Sequence, residues 1–228
     1  MTPRPRLLAI VAHPLPASES FTRALFDQAI LDLAPSCDID LCPLYEEGFS
    51  PLLSVDERRA YEDPDFLAPS LMAYRERLLA AHGLLLAYPT WVGGPPAILK
   101  GLFERLFKPG VTFLLSGRTG FTTLPTFQNL REALVFNPYG GGRTGAAFMG
   151  HYSRKFATRE MRISLGLQLK VRYEPFYHTD RLTPARRAAY EGRAHRATED
   201  FADRLSRVAR QSCAGKTPRS CQASPDPE

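Results

Sequence analysis

The chain has 228 residues, 44% of them hydrophobic, and a formal net charge of +5. That is enough apolar material for one sizeable core, which points to a single domain rather than a string of small ones. No run of about 18 or more apolar residues occurs, so a membrane-spanning helix is excluded.

Leu7 to Val11 is a continuous β-prone run and predicts the first strand. Met1 to Arg6 lead straight into it, and the run is too short and lacks the ending of a signal peptide, so a cytoplasmic protein is expected. The loop from Ala12 to Ser20 follows. Ser20 is a natural N-cap for a helix from Phe21 to Leu33, where Phe21, Leu25, Ala29 and Leu33 keep helical spacing. Cys37 to Leu41 predicts a second strand. A long connection from Pro43 to Pro69 contains Ser54-Val55-Asp56-Glu57, the capping box of a short helix. Leu67 to Ala81 reads as a helix with Leu71, Tyr74, Leu78 and Ala81 on one side.

Gly83 to Tyr88 predicts the third strand, too apolar to alternate because both faces are to be covered. A Pro- and Gly-rich turn carrying Trp91, the only tryptophan, comes next. Pro95 or Pro96 then opens a helix that ends at Pro109-Gly110, with Ile98, Leu99, Leu102, Leu106 and Phe107 on its buried face. Residues 111 to 131 read as a loop rich in Thr, Gly and Phe. Leu134 to Phe136 predict a fourth strand, a helix is expected over His151 to Ile163, and Val171 to Tyr177 predict a fifth strand. Thr183-Pro184 starts a long final helix to about Arg210. The domain is expected to span residues 1–211, and the polar tail from Ser212 to Glu228 to be disordered. Strands alternating with helices imply an α/β fold, a parallel sheet with helices on both faces.

In such a sheet the loops after the first, third and fourth strands emerge at the carboxyl edge, where ligands bind. Those loops are the unusual ones here. The first carries His13, Ser18, Ser20 and Thr22 ahead of a helix N-terminus, a setting that suits phosphate. The second offers Trp91 as an aromatic wall, with Gly93 and Gly94 read as allowing close approach of a flat ligand. The third is Gly140-Gly141-Gly142, whose N–H groups suit a charged ring edge. Taken singly, each has a structural explanation: a turn, a cap, a core tryptophan. Their coincidence at one edge points to a planar, redox-active ring. No G-x-G-x-x-G follows the first strand and no P-loop lysine is present.

The charge is divided along the chain. Residues 1–142 carry 12 basic and 15 acidic side chains, the remainder 17 and 9. A basic second half suits anions such as nucleotide phosphates, or is simply a solvated face. Aromatics are not interleaved with the basic residues, so no nucleic-acid partner is expected. The four cysteines show neither zinc spacing nor a disulfide framework, and none is expected to be functional.

Ala12-His13-Pro14 with Ser20-Phe21-Thr22, the run Pro89 to Gly101, Phe107 to Phe113, and Leu44 to Ser54 resemble the flavodoxin-like NAD(P)H:quinone oxidoreductases. That family includes quinone reductases of the DT-diaphorase type, modulator-of-drug-activity proteins and ancillary subunits of potassium efflux systems. The resemblance covers about residues 6 to 178, and its specific motif is Pro-x-Trp-x-x-Gly-x-Pro-Ala-x-Leu-Lys-Gly.

It implies a flavodoxin-like five-stranded sheet, FAD or FMN as cofactor, NAD(P)H as electron donor, a quinone-like acceptor, and a homodimer with its sites at the subunit interface. It assigns phosphate binding to His13, Ser20, Phe21 and Thr22. It assigns the isoalloxazine to Pro89, Thr90, Trp91, Val92 and Gly93, and to the loop of Asn137, Tyr139, Gly140 and Gly141. Backbone N–H groups of residues 90 to 93 are expected to hold the ring edge. By the same resemblance, His151 and Tyr152 form a proton relay. The long connection after the second strand inclines the expectation towards FAD. His82, His178 and His195 are not expected in the site.

The chain departs from the family pattern in three places: Thr22 stands where Asn is frequent, Val92 where a second aromatic is, and Asn137-Pro138-Tyr139 where Thr-Thr is. Two other readings are carried. One is a regulatory flavoprotein subunit controlling a partner such as an ion-efflux system; the other is a nucleotide or phosphate binder without redox chemistry.

Overall fold

Five of the apolar runs pair into one parallel sheet in the computed structural model, which describes residues 4–116, 120–123 and 126–214. Its strands are β1 (Arg6–Val11), β2 (Asp38–Pro43), β3 (Gly83–Ala87), β6 (Glu132–Pro138) and β7 (Lys170–Phe176), in the order β2-β1-β3-β6-β7. The three inner strands are buried along nearly their whole length. Because side chains alternate across a strand, they serve two cores. Leu8, Ile10, Leu84 and Leu86 pack under α3 (Pro69–Ala80), α4 (Ala97–Leu106) and the helical stretch from Tyr152 to Leu165. Leu7, Ala9, Val11, Leu85 and Phe136 pack under α1 (Phe21–Leu33) and α8 (Pro184–Ala214). The edge strand β2 is guarded by charge: Arg4 meets Asp38 at 3.1 Å and Arg77 meets Asp40 at 2.8 Å, a common defence of an open strand edge.

Ser20 caps α1 by accepting from the Arg23 N–H at 3.2 Å, and the capping box at Ser54 and Glu57 starts α2 (Val55–Arg59). Three expectations are corrected. The stretch 111–131 is not all loop: β4 (Phe113–Ser116) and β5 (Gly120–Thr123) pair as an antiparallel hairpin, since Thr and Phe are good strand formers as well as loop residues. The helix expected over His151 to Ile163 is present as a helical stretch over Tyr152–Leu165, but it contains a π-helical turn and an unexpected helix precedes it. α5 (Arg143–Phe148) starts directly after the glycine loop and the chain turns at Gly150 and His151, both with positive φ. α6 (Tyr152–Lys155), a π-helical turn (Phe156–Glu160) and α7 (Met161–Leu165) then follow. The final helix runs to Ala214, past the expected domain end; residues 215–228 of the expected tail lie outside the described residues.

Cys37 and Cys42 are free and buried, and burial pushes both thiols up, Cys42 to about 12, which keeps them inert. Among the described residues no helix is long and apolar enough to cross a membrane.

Candidate active site at the carboxyl edge

The three unusual loops meet. Thr90 donates its N–H to the Pro138 carbonyl at 2.8 Å, joining the tryptophan turn to the end of β6. The His13 and Trp91 rings lie 5.9 Å apart, joining the first loop to the second. Tyr139 donates its N–H to the Phe176 carbonyl at 2.7 Å, and His178 donates its N–H to the Gly141 carbonyl at 2.9 Å. The segment after β7 therefore closes against the glycine loop. His178, not expected in the site, sits so close that a methyl group on Gly142 would lie 2.6 Å from its ring. The signal for it was its position, two residues past the fifth strand, at the same edge as the others. His82 and His195 stay outside: the His82 Nδ1 accepts from the Arg6 N–H at 3.1 Å, and His195 pairs with Asp32 at 2.8 Å.

The tryptophan turn is tight. Trp91 and Gly94 exchange backbone hydrogen bonds at 2.9 and 3.0 Å, and Val92 and Gly93 between them have φ of 49° and 78°. Positive φ at both central positions is the primed type of turn. It strains Val92, whose branched side chain disfavours the left-handed region. The expectation about ring contacts is corrected here. The N–H groups of Thr90 and Trp91 are committed inside the protein, which leaves those of Val92 and Gly93 at the tip to meet a ligand. The two glycines also serve a different purpose from the one expected. A methyl group at Gly93 would lie 2.8 Å from Met149, and one at Gly94 would lie 2.8 Å from the Tyr152 ring. Their bareness admits Met149, at the end of α5, and Tyr152 of α6.

His151, Val92 and His178 are the non-glycine residues with positive φ among those described, and all three stand at this edge. Such strain concentrates at functional sites. His151 begins α6, and its buried Nδ1 has no hydrogen-bond partner. Tyr152 is exposed on its rim beside Gly94. Trp91 is 41% exposed and Val92 97% exposed.

In the first loop, the His13 Nδ1 accepts the Leu15 N–H at 3.1 Å, so the neutral ring carries its proton on Nε2 as a free donor. Burial pushes the His13 pKa down, and the positive charge of Arg23 adds to it. Ser20 and Thr22, expected as phosphate ligands, are both buried, and the Ser20 hydroxyl accepts the cap bond of α1. What that loop presents is the helix N-terminus with its free backbone N–H groups, and Phe21, whose ring packs on Phe176 and Tyr190. Asn137 is wholly buried beneath the tryptophan turn and Tyr139 nearly so. The arrangement fits a flat ring with a phosphate tail: an indole wall, two turn-tip donors, a helix N-terminus and a histidine donor. A separate cavity of about 630 Å³ lies between the connection after β2 and α4, and none of the expected site residues lines it.

Comparison with known proteins agrees with this architecture. The model of the flavodoxin-like fold family matches residues 5–198. The chain is 28% identical to NAD(P)H dehydrogenase (quinone) 1 of Rattus norvegicus over 155 residues, 60% of this chain and 54% of that protein. It is 30% identical to FMN-dependent NADH:quinone oxidoreductase 1 of Bradyrhizobium diazoefficiens over 131 residues, 52% of this chain and 62% of that protein. It spans about half the length of the curated relatives it matches. The solved NAD(P)H:quinone oxidoreductase of Methanothermobacter marburgensis superposes with a TM-score of 0.71 at 21% identity, over 86% of this chain and 95% of that one. At that identity the likeness speaks for the fold.

Proposed function

The chain belongs to the flavodoxin-like fold family, and from that premise we propose that it is a flavin-dependent NAD(P)H oxidoreductase reducing quinones or similar acceptors. The observation that carries the reading is the meeting of the His13, Trp91 and glycine loops at the carboxyl edge. Relatives named as quinone oxidoreductases support it. No observation favours the regulatory-subunit reading.

The chemistry that a bound flavin supplies is acceptance of hydride from a reduced pyridine nucleotide and its delivery, as two electrons, to a quinone. The residues of this chain do the rest. The N-terminus of α1 and the His13 Nε2–H bind phosphate. Trp91 walls one side of the ring, and the N–H groups of Val92 and Gly93 meet its polar edge. The loop from Gly140 to Gly142 supplies dipoles that stabilise negative charge on the reduced ring. Quinone reduction takes up two protons, one arriving with the hydride equivalent and one from solvent. Tyr152 and His151, beside the turn, deliver the latter.

The connection after β2, on which the expectation of FAD rested, is anchored by Arg105 of α4 and by Lys108, while Leu52 and Val55 on it are exposed. Arg105 binds Glu57 at 2.9 Å and the Ser50 carbonyl at 2.6 Å, and Lys108 binds the Asp63 carbonyl at 2.8 Å. FAD and FMN both stay open, so FMN is tested alongside FAD. We also propose a homodimer with the site at its interface: Val92 and Phe148 are 97% and 90% exposed, and Met149 adjoins Gly93. A second copy would cover them. The buried, free thiols suit a reducing, cytoplasmic setting.

The test is a visible absorption spectrum of the purified protein, with FMN or FAD added, before and after anaerobic NADPH or NADH. Flavin absorbance that bleaches with either nucleotide is expected. A protein that takes up neither flavin overturns the reading, and bound flavin that neither nucleotide bleaches removes the reductase activity from it.

A further inference from the structure

Beneath the three loops runs a buried polar network that a flavin site does not by itself require. Asn137, at the end of β6, is 0% exposed. Its Nδ2 donates to the Tyr88 carbonyl at 2.9 Å and to the Thr90 Oγ1 at 3.0 Å. Its Oδ1 accepts from the Ser153 Oγ at 2.7 Å and from the Tyr173 hydroxyl at 2.6 Å. The carboxamide thus uses both donors and both lone pairs.

Its orientation follows from chemistry. The Tyr88 carbonyl can only accept, so the amide nitrogen must face it. The remaining protons then fall into place. Tyr173 gives its proton to Asn137, so the Tyr139 hydroxyl, 2.6 Å away, donates to Tyr173. Ser153 also gives its proton to Asn137, so its oxygen accepts from Thr90 at 3.4 Å. Tyr88 donates its hydroxyl to the Ser153 carbonyl at 3.0 Å. Each bond has one direction, and burial holds the Tyr173 phenol in its neutral form. The network is a clamp and not a proton path.

Its ends lie in three different parts of the site. Thr90 adjoins Trp91, Tyr139 adjoins Gly140, and Ser153 adjoins Tyr152. We propose that Asn137 is a positioning residue: its buried carboxamide fixes the tryptophan turn, the glycine loop and the His151–Tyr152 turn relative to one another, and so sets the seat of the flavin ring. The proposal rests on the flavin reading above. A network that only filled the core would change stability and leave the seat of the ring unaltered.

The experiment uses the full chain as wild type, Asn137→Leu and Tyr173→Phe. FMN binding is followed by flavin fluorescence, the environment of the bound ring by visible circular dichroism, and the fold by far-ultraviolet circular dichroism without flavin. Tyr173→Phe removes the bonds to Asn137 and from Tyr139, and in the folded variant the FMN dissociation constant rises about threefold to tenfold. In Asn137→Leu it rises by at least about tenfold, since four bonds are lost together. The flavin dichroism changes in both. Unchanged affinity and dichroism in folded variants overturn the positioning role and leave the flavin reading intact. If Asn137→Leu does not fold, Tyr173→Phe decides alone. A wild type that binds neither FMN nor FAD overturns the flavin reading and the positioning role with it.

Discussion

Two irregular segments leave the carboxyl ends of β2 and β3, and they are built on opposite principles. The connection after β2 is held by buried cations. Arg105 reaches Glu57 and the Ser50 carbonyl and donates to the Ser70 hydroxyl at 2.9 Å; Lys108 reaches the carbonyls of Ala60, Asp63 and Phe66. The turn after β3 carries no charge. It is fixed by its own backbone bonds and by Asn137, and it displays Trp91 and a strained Val92 to the outside. Buried charge with a full set of partners marks structure. An exposed aromatic on an over-determined turn suits recognition, the role proposed for it. Concavity alone does not mark chemistry, since the cavity of about 630 Å³ borders the first segment and not the second.

The sharpest way to break the comparison is Arg105→Ala. The Arg105–Glu57 pair is 5% and 9% exposed, so the substitution strands a buried carboxylate, and unfolding in urea should show a loss of about 3–5 kcal/mol. FMN affinity of the folded fraction should stay within about twofold of wild type. A pH series carries the same information. Burial alone would raise the Glu57 pKa, but the Ser54 N–H and Arg105 overcome it and hold the carboxyl below its ordinary range. A lowered carboxyl contributes stability above its unfolded pKa and loses it as pH falls through the folded value. Wild type should therefore lose this contribution on acidification below the ordinary glutamate range, and Arg105→Ala should show less of that loss. If stability holds while FMN affinity collapses, the connection belongs to the site and the contrast is wrong.

Much of this division was legible in the sequence because it is local. The non-alternating runs Leu7–Val11 and Gly83–Ala87 became inner strands, and the caps at Ser20 and Ser54 started helices where expected. The three loops were brought together by topology, and topology follows from the alternation of strands and helices. What was not legible depends on partners remote in sequence. Gly93 and Gly94 look like ligand-approach glycines, and only the fold shows that Met149 and Tyr152, more than fifty residues on, also lie against them. Ser20 and Thr22 look like phosphate ligands, and only the fold shows that both are buried and that Ser20 caps α1. Asn137 looks like a loop residue, and its partners come from the segment just after β3, from β7 and from α6. α5 was missed because Gly145 within it and Gly150 just after it weaken the helical signal of the stretch Arg143–Phe148.

Gly94→Ala tests the reassignment of that glycine with a smaller effect. The added methyl group meets the Tyr152 ring at 2.8 Å, and overpacking of this kind costs about 1–3 kcal/mol. The cost should vanish in a Tyr152→Ala background, which a double-mutant cycle by urea unfolding measures. If Gly94→Ala costs nothing in stability yet weakens FMN binding, Gly94 faces the ligand after all and the sequence-based reading is restored.

The smallest effect is spectroscopic, and it reports on the recognition turn directly because Trp91 is the only tryptophan. Its ring lies 5.9 Å from that of His13, so protonation of His13 should alter its emission. Burial, with Arg23 nearby, places the His13 pKa below its ordinary 6.5. Between the two values the unfolded chain binds more protons than the folded one, so stability rises with pH across that window and is lost as pH falls through it. Tryptophan emission of the flavin-free protein should titrate with a midpoint below 6.5, and His13→Gln should abolish the titration. A midpoint at or above the ordinary value would mean that the ring is not buried beside Trp91. Added FMN should then raise the midpoint, because a phosphate held by His13 favours the imidazolium form. A midpoint that FMN leaves in place would separate the two loops energetically and confine ligand binding to the tryptophan turn.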